Sequence, residues 1–188
     1  MGEKEKRRCG WCNLSNPLYV DYHDKEWGVP VHEDGKLFEM LLLESFQAGL
    51  SWECILNKRE AFRRAFDGFD YRKIARYDDR KLEDLSRDAG IVRNRLKIKA
   101  AVNNARVFLE TQEEYGSFSR YLWGFTEGNI LYATGLATSP LSDAISRDLR
   151  QRGMKFMGST VVYAYLQAIG IINSHEKGCW KHEEAATR

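Results

Sequence analysis

Arg152-Gly-Met-Lys-Phe-Met-Gly-Ser-Thr160 joins two stretches with helical periodicity. Pro140 suits the first turn of a helix ending at Gly153, and an apolar helix follows from Ser159 to about Ile169. So short a connection folds the two helices into a hairpin. Gly158 frees backbone N–H groups where the second helix begins, and the positive end of that helix favours an anion. Arg147, Arg150, Arg152 and Lys155 surround the turn, opposed by Asp148, so a small basic patch accompanies it. Many helix pairs share a Gly turn, and a single basic run is most often a solvated helix face. The rest of the chain must decide what the hairpin serves.

Outward from the hairpin the helical pattern continues. Lys36–Ala48 has a broad apolar face of Leu37, Phe38, Leu41, Leu42 and Leu43, stopped by Gly49. Ser51 caps a helix through about Phe66. Asp70 and Asp78 cap two short helices, the second ending at Gly90. A long helix runs from about Arg93 to Tyr115 and another covers Phe118–Phe125, before a polar loop from Thr126 to Ser139. Alternating strand patterns are scarce, so the fold is expected to be all-α. No linker rich in Pro, Gly or Ser divides the chain. One compact unit over 1–188 is expected, with a helical body at 35–170 and ordered end segments at 9–34 and 171–182.

The composition fits this reading. In 188 residues, 43% are hydrophobic and 30% charged, as in globular rather than disordered chains. Lys and Arg total 29 against 27 acids, so the net charge of +2 does not announce a nucleic-acid binder. The charge is unevenly placed, however. Arg87, Arg93, Arg95, Lys97, Lys99 and Arg106 face a single acid, Asp88, in their stretch. The charged start lacks an apolar signal core, and no run reaches the roughly 20 apolar residues of a membrane span. A cytoplasmic protein with no membrane association is expected, in which Cys is a thiol or a metal ligand.

Cys9, Cys12 and His23 lie near one end of the sequence, and His175, Cys179 and His182 near the other. Zinc takes four N or S ligands in a tetrahedron. Two quartets compete: Cys9, Cys12, His175 and Cys179, or Cys9, His23, His175 and Cys179. Uncoordinated thiols and surface histidines are the plainer alternative. Cys54 falls inside an amphipathic helix and reads as a core residue, and His32 as a loop residue.

Trp11, Tyr19, Tyr22 and Trp27 crowd the segment from Cys9 to Trp27. Glu44 interrupts a run of leucines, and Trp52 follows the Gln47-Ala-Gly-Leu-Ser51 turn. A carboxylate among leucines is costly to bury without a partner. Glu44 either faces solvent, pairs with an Arg, or joins the aromatic faces in a pocket for a flat cation.

Taken together, Cys9-Gly-Trp11, Tyr22-His-Asp-Lys-Glu-Trp-Gly-Val-Pro30, Phe38-Glu-Met40 and Gln47-Ala-Gly-Leu-Ser-Trp52 resemble the bacterial DNA-3-methyladenine glycosylase I family. Asp88-Ala-Gly-Ile-Val-Arg93, Lys155-Phe-Met-Gly-Ser-Thr160 and Asn173-Ser-His175 through Cys179 complete the resemblance, which spans Cys9 to about Cys179. It implies an all-α helix-hairpin-helix DNA glycosylase fold with a structural Zn2+ held by Cys9, His23, His175 and Cys179. The implied substrate is 3-methyladenine in alkylated double-stranded DNA; nothing in the sequence demands an oligomer, so a monomer is expected. Trp52, Tyr22 and Glu44 would form the base pocket, with Trp11, Tyr19 and Gln47 nearby. Gly49 and Leu50 would be the wedge filling the vacated gap. Lys155, Gly158, Ser159 and Thr160 would meet the DNA backbone. Asn173 stands near where related hairpin glycosylases carry an Asp, and an amide is no general base. No lysine nucleophile is needed, so no strand cleavage is expected. A noncatalytic hairpin DNA-binding protein with a structural zinc is the alternative. A zinc hydrolase is disfavoured because four protein ligands leave no position for water.

Overall fold

The computed structural model describes residues 6–182 of the chain; residues 1–5 and 183–188 of the expected 1–188 unit lie outside the described residues. The described chain is mostly helical. In order come α1 (Pro17–Lys25), α2 (Asp34–Gln47), α3 (Trp52–Ala65), α4 (Tyr71–Ile74), α5 (Asp79–Arg87), α6 (Arg95–Tyr115), α7 (Phe118–Gly124), α8 (Pro140–Gln151) and α9 (Ser159–Ala168).

The helix ends follow local side-chain chemistry. Ser51, Asp70 and Asp78 accept backbone N–H bonds at the starts of α3, α4 and α5, and Ser139 and Ser142 form a reciprocal capping box on α8. Asn94 accepts from the amides of Leu96 and Lys97, so α6 begins at Arg95 rather than at Arg93. One correction concerns fold class. Leu131–Tyr132 and Ile172–Asn173 pair as two short parallel strands, β1 and β2, so the structure is not strictly all-α. The pair stitches the expected 126–139 loop to the C-terminal segment. A second correction concerns Cys54, which is half-buried rather than in the core.

Helix α2 is the axle of the fold. Every residue from Leu37 to Phe46 is buried, the pattern of a helix surrounded by others rather than facing water. It packs against α3, α6, α7 and α9. Within one hydrophobic core, its Phe38 meets Phe108 and its Phe46 meets Phe62 and Phe66. Glu44 is carried on this axle, so it cannot turn to solvent.

The end segments close over one side of the body. Gly28 and Val31 donate backbone bonds to the carbonyls of Gln167 and Ile169, and Trp180 donates to Arg7. Gly170 makes the closure possible. Its φ is +76°, and a Cβ there would lie 2.3 Å from the Val29 carbonyl carbon and 2.4 Å from the Pro30 nitrogen. Gly170→Ala is therefore expected to destabilise the protein by about 2–4 kcal/mol, combining left-handed strain with a backbone clash. Thermal melting measures this, and an unchanged midpoint would mean that the 28–31 segment moves aside freely.

Candidate active site and metal centre

A cavity of about 320 Å³ opens where α1, α2, α3, α9 and the end segments meet. Trp11, Tyr19, Tyr22, Glu44, Gln47 and Trp52 all line it. The structure thus brings together the six residues expected to form the pocket. It adds Trp27, Gly135, Ala164, Gln167, Ser174 and Glu176 to the walls. The Tyr22 and Trp52 ring centroids are 5.2 Å apart at 45°, so the two faces diverge. Trp11 meets Tyr19 at 5.4 Å and the edge of Trp27 at 4.7 Å.

Glu44 is 3% exposed. Among the described residues no group hydrogen-bonds to its Oε2, and Trp52 Nε1 and Ser174 Oγ are likewise without partners. Buried polar atoms nearly always find partners, yet here three orphans line one cavity. Burial pushes the Glu44 carboxyl up to about 8, since removal from water disfavours the charged form. Nearby Tyr19 is pushed up to about 12, chiefly by burial. Burial thus favours the neutral carboxylic acid at Glu44, and a flat cation beside it would favour the carboxylate.

Ion pairs fix the helices around this cavity. Arg59 on α3 donates to Glu26, just past α1, at 2.8 and 2.9 Å, and to Glu39 on α2 at 2.7 Å. Lys36 adds a 2.9 Å bond to Glu26. Burial alone would raise the Glu26 carboxyl, but Arg59 and Lys36 hold it down at about 2. The helices bearing Tyr22, Glu44 and Trp52 are thereby tied together, close to their aromatic and acidic side chains.

Cys9, His23, His175 and Cys179 converge behind the pocket wall, all four buried, with their donor atoms within 4.8 Å of one another. Cys9 Sγ lies 3.5 Å from His175 Nδ1, and Cys179 Sγ lies 3.5 Å from His23 Nε2 and 3.6 Å from His175 Nδ1. A tetrahedron with Zn–S of about 2.3 Å and Zn–N of about 2.0 Å has S···N edges of about 3.6 Å. The donor set therefore fits a four-coordinate metal. The far ring nitrogens are also occupied, His23 Nδ1 by Asp24 at 2.8 Å and His175 Nε2 by the Trp27 carbonyl at 3.1 Å, as metal-binding histidines require. Burial pushes the Cys9 thiol up to about 12 and the His175 imidazole down to about 4.

Cys12 does not belong to the group. Its thiol faces the Tyr19 carbonyl at 3.8 Å. His182 also stays outside, with its Nδ1 against the His175 carbonyl at 3.0 Å. Trp11 and Trp27 touch both sites: their rings sit 5.2 Å from His23 and 4.7 Å from His175, respectively.

Gly49 and Leu50 form the turn between α2 and α3. Gly49 has φ +81°, and Leu50 is 42% exposed. Across the surface, Lys155 and Gly158 border a hairpin groove together with Arg147, Arg150 and Ser159. Gly158 precedes α9 without a side-chain cap, and Thr160 is exposed. Ser159 Oγ is engaged by Asp143 and by Ser142. Three residues of the two basic stretches are engaged within the fold. Arg152 turns onto Asp148 and Glu114, Arg106 donates to the Ala75 carbonyl, and Lys97 is buried. Local carboxylates and carbonyls claim these charges before any outside anion can. Asn173 is also committed, accepting from the His175 amide at 3.2 Å.

Sequence reasoning missed Gly135, Gln167 and Ser174 as wall residues. Their pocket role depends on the β1–β2 pairing and the chain closure, which carry no local signal. Trp27 was visible as part of the aromatic run, but its place between the two sites was not.

The methyladenine glycosylase family matches residues 11–182. DNA-3-methyladenine glycosylase 1 of Escherichia coli (strain K12) is 44% identical over 178 residues, covering 92% of this chain and 95% of that protein. DNA-3-methyladenine glycosylase of Haemophilus influenzae is 38% identical, over 92% of this chain and 96% of its own length. The solved structure of 3-methyladenine DNA glycosylase I from Staphylococcus aureus superposes with a TM-score of 0.88 at 35% identity, covering 92% of this chain and 95% of that one. A match over nearly the whole length of both chains, in sequence and in backbone, leaves one assignment: the chain belongs to the methyladenine glycosylase family.

Proposed function

We propose that this protein is a DNA glycosylase that hydrolyses the N-glycosidic bond of 3-methyladenine in alkylated double-stranded DNA, releasing the base without cutting the strand. The observation that carries this reading is Glu44, a buried carboxyl without a hydrogen-bond partner at Oε2, facing an aromatic-lined cavity. Phosphate binding alone needs no such pocket. A noncatalytic hairpin protein would therefore leave the cavity unexplained.

The base must leave the duplex stack to be read. Leu50 on its Gly49 turn would enter the gap. Trp52 would stack on the flipped ring, with Tyr22, Trp11, Tyr19 and Gln47 enclosing it. Glu44 would accept hydrogen bonds from the adenine edge and balance the charge of the methylated ring. N3-methylation makes the base cationic, so it departs with the C1′–N9 electron pair as neutral 3-methyladenine. Water then bonds to C1′ and loses a proton to solvent. Neutral adenine lacks this activation, so selective cation binding replaces strong general-base action. That is compatible with an Asn at 173.

The α8–α9 turn would serve as the helix-hairpin-helix backbone site, with Lys155, Gly158, Ser159 and Thr160 facing phosphate. Cys9, His23, His175 and Cys179 would hold a structural Zn2+, which supplies a cross-link and no open coordination position. It would join segments 9–34 and 171–182 to the body at 35–170, so that 1–188 acts as one unit. The chain would act as a monomer. Among the described residues no helix is long and apolar enough to cross a membrane, which suits a cytoplasmic enzyme.

Incubation with methylated duplex DNA, followed by chromatography of the freed bases, tests the reading. Free 3-methyladenine is expected. Tight binding of the DNA with no base released overturns the proposal. Trp52→Ala should slow release by about 10- to 100-fold, the cost of one lost stacking contact. Full activity of that variant would place the base elsewhere.

A further inference from the structure

Helix α6 carries buried polar side chains whose bonds leave the helix at two places. Lys97, 6% exposed, donates from Nζ to the carbonyls of Phe46 at 2.8 Å and Ala48 at 2.6 Å. These are terminal carbonyls of α2 that lack a helical partner, and a cation at that end also meets the negative pole of the helix. Two turns later, Asn104 accepts from the Lys155 amide at 2.8 Å and donates to the Lys155 carbonyl at 2.9 Å. Asn103 donates to the Gly153 carbonyl at 2.8 Å. Seven residues separate Lys97 from Asn104, so both lie on one face, about 10 Å apart along the axis.

The two anchored turns are those that bear Leu50 and the hairpin. Within the first, the Leu50 amide bonds back to the Gln47 carbonyl and Ser51 caps α3, while Lys97 ties the turn to α6. A Cβ on Gly49 would meet nothing within 4 Å. No carboxylate hydrogen-bonds to Lys97 among the described residues, and burial pushes its ammonium pKa down. A lysine is an expensive way to fill that space; packing alone would accept a methionine. Phe156, held at φ +56°, places its ring 6.0 Å from Lys97 Nζ, so the hairpin tip reaches the same anchor.

We infer that Lys97 and Asn104 are positioning residues, which use α6 as a rigid spacer to hold the Leu50 turn and the phosphate-binding hairpin in register for one duplex. The inference rests on the glycosylase reading, and it assigns Lys97 to the protein interior rather than to the DNA backbone. It separates two activities that share one pocket. Binding of free 3-methyladenine needs the pocket alone. Release of that base from DNA needs both turns in register as well.

Lys97→Met and Asn104→Leu are each compared with the parent protein by two measurements. One is kcat/KM for base release from methylated duplex DNA; the other is affinity for free 3-methyladenine, read from tryptophan fluorescence. Release is expected to fall on the order of 10-fold, the scale of a small misplacement of contact groups, with free-base affinity changed less than about twofold. Lys97→Met added to Leu50→Ala should cost little beyond Leu50→Ala, because the lysine acts through that turn. An equal loss of free-base affinity, or unchanged release, overturns the inference. Should Lys97→Met not fold, Lys97→Gln, which keeps a donor, and Asn104→Leu carry the same comparison. Absence of base release by the parent protein instead overturns the glycosylase reading, leaving the two failures distinguishable.

Discussion

Glu44→Gln is expected to slow release of 3-methyladenine from methylated DNA by about 10- to 100-fold, while making the free protein more stable at alkaline pH. The first effect follows from charge. A hydrogen bond to an ionised group is worth about 1.5–3 kcal/mol, and Glu44 is buried. The amide keeps the shape and loses the anion. The second effect follows from linkage. In the unfolded chain the carboxyl ionises near the usual value of about 4.3; in the fold, burial holds its proton up to about 8. Between these values the folded state binds the extra proton, so stability falls as pH rises through that window. Below it the parent carries no penalty; above about 8 the cost levels off on the order of 5 kcal/mol. Tyr19 and Tyr22, which line the same cavity and whose pKa values are raised chiefly by burial, stay neutral throughout. Melting of parent and variant at about pH 5, 7 and 9 should show a widening gap in favour of the variant. A constant gap would mean that Glu44 is already ionised and partnered, and the cation pocket would fail with it.

The legible and illegible parts of the fold differ in range. Helix caps at Ser51, Asp70 and Asp78 are interactions within three residues, so the local sequence marks them. Glu44 was visible because a carboxylate among leucines contradicts its own helix. The β1–β2 pair was not visible, since two residues are too few to establish alternation. Lys97 and Arg152 misled for a related reason. A sequence displays a charge but not the carbonyls of Phe46 and Ala48, or the carboxylates of Asp148 and Glu114, that claim it. The choice between metal quartets also lay beyond the local pattern. Cys12 has the closer spacing to Cys9, but the turn and α1 carry His23 to the other ligands and send Cys12 towards Tyr19.

Stripping the metal should have the larger structural effect and should reach the pocket without touching a residue that contacts the base through its polar edge. Purified protein is expected to contain about one zinc per chain. Cys9→Ala, His23→Ala, His175→Ala and Cys179→Ala should each lose it, and Cys12→Ala should keep it. Without a cation, Cys9 and Cys179 are buried against His23 and His175 with nothing to bridge the four side chains, and the two end segments lose their cross-link. Structural zinc sites in small peptides contribute 10 kcal/mol or more. Here the helical body persists, so a loss of about 4 kcal/mol is the expected floor. At about 2–4 °C per kcal/mol for a chain of this size, the melting midpoint should fall by roughly 10 °C or more. The disturbance reaches the active site through Trp11 and Trp27, whose rings lie against His23 and His175 on one side and wall the cavity on the other. Affinity for free 3-methyladenine should therefore drop in Cys179→Ala, far from Glu44 in sequence, and remain in Cys12→Ala. A metal-free protein that melts and binds the base as well as the untreated one would reduce the four residues to a buried polar cluster. Retention of zinc by His23→Ala with its loss in Cys12→Ala would restore the other quartet.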